Sequence, residues 1–181
     1  MITTLNKIRA HDPCANGWRK LLAHLGKTQA DDDPLPILTI LDSNGLDDAL
    51  WCLRAVDGHD REIRLYALWC ARQVQHLMKD PRSVTALDVV ERRANGDARL
   101  GELKAAWDAA RAAAGVTWTV AGLTWAAASA AGAAERSAPI AAWSAASAAR
   151  SAESAAWSAQ STRLREICTP VVTKSQQQEN V

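Results

Sequence analysis

No phenylalanine occurs in this chain of 181 residues, and Tyr66 is its single tyrosine. Eight tryptophans complete the aromatic set, so Trp is the expected large aromatic filler beside Leu, Ile, Val and Ala. Long apolar runs are missing as well. No stretch reaches the ~18 uninterrupted apolar residues of a membrane span. Residues 105–134 come nearest, but Asp108 and Arg111 open them and Ala, Ser and Gly fill the rest. No membrane partner is expected. Lys7 and Arg9 stand near the start with no apolar run after them, which is not the pattern of a secretory signal. Cys14, Cys52, Cys70 and Cys168 are scattered, and reduced thiols in a soluble, cytoplasmic protein are the expectation.

An excess of one charge is also absent. The formal net charge is +1, with acidic and basic residues interleaved. Residues 1–57 are slightly acidic, 58–114 slightly basic and 115–181 near neutral. No segment has the basic stripe of a nucleic-acid footprint, and no acidic run imitates DNA. Phosphate-binding motifs are missing: there is no P-loop and no Gly-rich dinucleotide turn. His11, Cys14 and His24 lack the paired spacing of a zinc site. Asp31, Asp32 and Asp33 lack the Gly and terminal Glu of a calcium loop and read as a solvated turn. An enzyme would have to use a dispersed site around His59, Cys70 and His76. Cys70 and His76 fall on largely different sides of one helix, with no oxyanion donor or acid partner in view. The residues predict no catalytic role, no metal and no cofactor.

Helix signals are abundant. Thr3 or Thr4 caps a short helix to about Ala10. Asp12-Pro13 opens another, which carries Trp18, Leu21, Leu22 and Leu25 on one face and stops at Gly26. Thr28 to Pro36 reads as a loop. Ile37 to Leu41 is β-like but lacks a partner strand, so it reads as a short helix or a buried extended connector. Ser43-Asn44-Gly45 reads as a turn. Ala49-Leu50-Trp51-Cys52 then recurs as Ala67-Leu68-Trp69-Cys70, which predicts two successive helices, about 46–56 and 60–78, burying the same face. Asp80-Pro81 caps a helix to Ala94; Asn95-Gly96 ends it, and Asp97 caps the next, to Ala114.

Composition then shifts to alanine. Trp107, Trp118, Trp125, Arg136, Trp143, Arg150 and Trp157 are separated by 11, 7, 11, 7, 7 and 7 residues. Both intervals return a side chain to nearly the same side of an α-helix. Residues 136–163 divide into heptads, RSAPIAA, WSAASAA, RSAESAA and WSAQSTR. Either one rod spans about 97–166, or three helices (97–114, 117–131 and 137–166) fold back on each other. Gly115, Thr117, Gly132 and Pro139 favour three, since Pro inside a helix costs about 3 kcal/mol. The prediction is an all-α multi-helix bundle of short helices, with Ala-rich C-terminal helices packed as hairpins. Its parts are an N-terminal helical segment (1–57), a central helical core (58–114), heptad-patterned helices (115–168) and a disordered tail (169–181).

A Trp row at helical spacing reads first as core, each indole seated against facing Ala and Ser. It reads second as a surface gripping a partner, since Trp and Arg are enriched at binding hot spots. On that second reading the candidate partner-binding residues are Arg136, Trp143, Arg150 and Trp157. A further alternative makes the heptads the seam of a homo-oligomer.

The middle of the chain resembles a family of small helical proteins of phages, prophages and bacterial genomes, some of them described as immunity proteins against toxins. The resemblance rests on Arg64-Leu65, Cys70-Ala71, Val74, Asp80-Pro81-Arg82-Ser83, Ala86, Val90-Glu91 and Ala94-Asn95-Gly96. An Ala-rich tail punctuated by Trp and Arg follows, and the match covers roughly residues 60–165. Many relatives carry a second Cys where this chain has Leu68, so no metal or redox role carries over. The resemblance implies a non-enzymatic inhibitor that binds a protein partner, either a toxin or a host-defence component such as CRISPR.

Overall fold

The computed structural model describes residues 1–78, 80–114, 139, 142, 143, 145–147, 150 and 156–169; of Trp107, Arg111, Ala113 and Ala114 it describes the backbone alone. The expected helix 117–131, Trp118, Trp125, Arg136 and the tail from residue 170 lie outside the described residues.

The molecule is helical, as expected. Its helices are α1 (Leu5–Arg9), α2 (Ala15–Leu25), α3 (Ile37–Asn44), α4 (Leu46–Cys52), α5 (Asp60–Gln73), α6 (Pro81–Ala94), α7 (Leu100–Ala114) and α8 (Ala156–Cys168). Single turns of 3-10 helix at Leu53–Ala55 and Gln75–Leu77 extend α4 and α5. The described residues from 139 to 150 are also helical.

Several starts and stops follow from side-chain chemistry. The Thr4 hydroxyl accepts the Lys7 N–H at 3.2 Å and opens α1. The Asp80 carboxylate accepts the Arg82 N–H at 2.9 Å, with Pro81 in the first turn of α6. These caps satisfy amide donors that a helix start leaves unpaired. Two expected caps are corrected. Cys14, not Asp12-Pro13, caps α2, its Sγ accepting the Gly17 N–H at 3.3 Å; Asp12 instead takes a left-handed turn with φ 54°. Asp97 does not cap α7, which starts at Leu100, where the Glu102 carboxylate reaches back to the Arg99 N–H at 3.2 Å.

Ile37 to Leu41 resolves as helix. Its three buried residues, Ile37, Ile40 and Leu41, fall on one side at helical spacing, and among the described residues no long strand is available to pair with it. A two-stranded antiparallel bridge precedes it, Ile2–Thr3 pairing with Leu35–Pro36 in the register Ile2 to Pro36 and Thr3 to Leu35. Two-residue strands carry no readable period, so the sequence did not signal this bridge.

One hydrophobic core draws on α1 through α8. The repeated tetrapeptide buries the same positions twice: Ala49, Leu50 and Cys52, then Ala67, Leu68 and Cys70. Trp51 and Trp69 are only half-buried at its margin, as is Trp18. For the tryptophans whose side chains are described, the expectation of Trp as the aromatic filler is therefore corrected. Tyr66 is the largest fully buried side chain, and among the described residues no tryptophan is fully buried. Leu and Ile are the other large side chains that are fully buried, beside smaller Val, Ala and Cys.

Candidate functional site

In the C-terminal helices, Pro139, Ala142, Ala145, Ala146, Ala156, Gln160, Leu164 and Cys168 are buried. Of these, Pro139, Ala146 and Gln160 hold the fourth heptad position, and Ala142 and Ala156 the seventh, where Arg163 is half-buried. These columns stand about 60° and 120° around the helix from the first position, which holds the tryptophans. Trp143 and Trp157 accordingly stay 43% and 46% exposed. The expectation that these indoles seat against small residues in the core is overturned: the alanines turn inward and the tryptophans sit on the flank.

Arg150, in the same column, is placed differently. Its side chain is only 12% exposed and pairs with Asp47 in the first turn of α4. It also donates to the Gln160 side-chain carbonyl at 2.9 Å, and its guanidinium carbon lies 4.8 Å from the Trp157 ring centroid. Arg150 therefore ties α8 to α4 and holds one indole in place. Arg136 is outside the described residues, so the structure relates only Trp143, Arg150 and Trp157.

Gln160 was missed by the sequence reading and organises this region. Its side chain, fully buried, donates to the Ala146 carbonyl at 3.1 Å, while its backbone carbonyl accepts the Tyr66 hydroxyl at 3.2 Å. A buried amide left without such partners would be destabilising. The available signal was a Gln two heptads after Ala146 in the same column. Two surface ties complete the attachment: Arg165 pairs with Asp42 of α3, and the Met1 amine donates to the Cys168 carbonyl at 3.3 Å.

The candidate enzyme residues differ in their surroundings. Burial pushes the Cys70 thiol up to about 12, while His76 stands exposed and His59 faces Glu62 at 3.8 Å. Tyr66 is likewise pushed upward by burial and stays neutral. Among the described residues no three His, Cys, Asp or Glu side chains cluster to hold a metal, and no helix is long and apolar enough to cross a membrane.

A second feature lies between α2 and α4, a cleft of about 90 Å³ bordered also by α1 and α3. Trp18, Trp51, Leu21 and Ile40 line it with apolar surface, and Asn44 and Asp48 supply its polar groups. The Asn44 amide donates to Asp48 Oδ2 at 2.7 Å and to the Gly17 carbonyl at 2.9 Å, linking α3, α4 and α2. Gly17 permits this approach. A Cβ there would lie 2.7 Å from Asp48 Oδ2 and 3.2 Å from Cys14 Sγ. The sequence carried a partial signal, since Asp48 and Trp51 are three apart on one helix face; the arrival of Trp18 beside them is tertiary.

Compared with protein-family models, curated proteins and solved structures, the chain matches none of them.

Proposed function

We propose that this protein is a non-enzymatic helical inhibitor, phage- or prophage-encoded and cytoplasmic, that binds a protein partner and blocks it sterically. The partner is a toxin or a host-defence component. The observation that carries this reading is the half-exposure of Trp143 and Trp157, two indoles on the flank of helices whose neighbouring columns are buried. Large exposed aromatics without a packing role favour association, because covering them removes apolar area from water at about 25 cal/mol per Å². Arg150 fixes the Trp157 ring before any partner arrives, which lowers the ordering cost of binding. The resemblance over residues 60–165 supports the same class.

The test is retention of a host protein on the immobilised chain at near-physiological salt, with the Trp143→Ala/Trp157→Ala double variant run in parallel. A protein held by the native chain and lost by the double variant is the expected result. No retained protein, or equal retention by both, overturns the reading. The same flank could instead meet a second copy of the chain. Sedimentation velocity separates the two, since a mass that rises with concentration and falls back in the double variant identifies a self-association seam.

A further inference from the structure

The cleft between α2 and α4 has no part in that reading. Its lining combines two indoles, aliphatic side chains and one carboxylate, and contains no Lys, Arg or His. Among the described residues Asp48 makes no ion pair, and its hydrogen-bond donor is the neutral Asn44 amide. Of the two thiols in the lining, Cys14 and Cys52, the Cys52 thiol is pushed up to about 12 by burial, with Asp48 adding to the shift. The cleft thus carries negative charge without a resident counter-charge.

That combination discriminates among ligands. An anion would be repelled by Asp48. A neutral apolar molecule would cover the carboxylate without pairing it, which is costly. A hard metal ion needs several oxygen ligands, and one carboxylate and one amide fall short. An ammonium ion bearing alkyl groups meets both demands: its charge faces the carboxylate and its methyls contact indole surface, which attracts cations through the ring quadrupole. Trp51 already draws one cation, Arg54, whose guanidinium carbon lies 4.1 Å from its ring centroid and which does not line the cleft. The volume exceeds the ~10–15 Å³ needed for one water and falls well short of the ~300 Å³ of a drug-sized site, so a head group fits. The geometry points to a binding site for a small alkylated ammonium cation, with Asp48 as its counter-charge and Trp18 and Trp51 as its walls.

The full chain is titrated by calorimetry with tetramethylammonium and choline, and with 3,3-dimethylbutan-1-ol, the uncharged analogue of choline. Saturable one-to-one binding of the cations is expected, with the neutral analogue about ten-fold weaker. Asp48→Asn, which keeps the shape and still accepts from Asn44, should weaken cation binding about ten-fold with unchanged circular dichroism. Gly17→Ala should do the same by pushing the carboxylate aside. Absence of saturable cation binding to the native chain overturns the proposal. So does equal binding of choline and its neutral analogue, or full affinity in Asp48→Asn. Asp48→Asn leaves Asp47, the partner of Arg150, in place, so partner retention by Asp48→Asn reports separately on the protein-binding reading.

Discussion

The first 114 residues and the C-terminal helices hold themselves together by different means. In the first region, buried Leu and Ile side chains such as Leu5, Ile8, Ile37, Ile40, Leu50 and Ile63 form the core. In the second, half of the described buried residues are alanine (Ala142, Ala145, Ala146 and Ala156), beside Pro139, Leu164, Cys168 and one amide, Gln160. Alanine faces let helices approach closely but bury little apolar area per residue. They also fit one another in many registers. Unique placement of that region therefore rests on directional ties: Tyr66 and Ala146 to Gln160, and Arg150 to Asp47. A greasy core fixes itself by volume, whereas a small-residue face needs polar contacts to set its register.

The largest expected effect lies in the first region. Leu50→Ala, at a fully buried position of α4, should destabilise by about 2–5 kcal/mol in urea unfolding, through lost burial and the cavity left behind. An alanine-like cost below that range would show that the two regions share one packing mode. Alkaline unfolding reaches further in the same region, because two buried thiols titrate together over several pH units. Cys52 and Cys70 are both pushed up to about 12 by burial, so the folded state keeps protons that unfolded thiols lose near pH ~8.5. Stability is fully present below that pH and is lost as pH rises toward the folded values, by about 1.4 kcal/mol per pH unit for each thiol. A Cys52→Ser/Cys70→Ser variant should lose that slope, and a native chain with flat stability between pH 8.5 and 11 (about two and a half units) would contradict the burial of both thiols.

In the second region, Gln160→Ala should cost about 1–3 kcal/mol, chiefly by leaving the Ala146 carbonyl and the Arg150 guanidinium short of a partner. Hydrogen exchange should rise in α8 and spare α3 and α4. Uniform loss of protection would mean that the network also holds the first region. The smallest stability effect is expected at Trp143→Ala, within about 0.5 kcal/mol, since the side chain is exposed. Combined with loss of partner retention, that result separates recognition from packing; a loss of several kcal/mol would return Trp143 to the core.

Much of the fold was legible where local chemistry decides it. Thr4, Asp80-Pro81, Gly26 and Asn95-Gly96 mark helix ends because caps act on their own backbone. The repeated Ala-Leu-Trp-Cys reports a buried face because its spacing matches the helix period. Ends set by reach rather than by type were misread: Cys14 replaces Asp12-Pro13 because the chain turns at Asp12, and Glu102 supplies the cap that Asp97 does not. The candidate site was half legible. Period alone aligned Trp143, Arg150 and Trp157, but a column's direction depends on what packs beside it, and Arg150 went inward to Asp47 while its neighbours stayed out. The cleft was not legible, because Trp18 and Asp48 meet only through the packing of α2 on α3 and α4.

By itself the sequence determined that the chain is helical, where most of its helices begin and end, and that its C-terminal tryptophans share a column. Each of these follows from interactions within a few residues along the backbone. The packing of distant segments settled which column faces the core, that the lone tyrosine is buried while the described indoles remain at the margin, and that one carboxylate lies unpaired beside two tryptophans. Those outcomes depend on contacts between segments far apart in the chain, whose meeting no local pattern encodes.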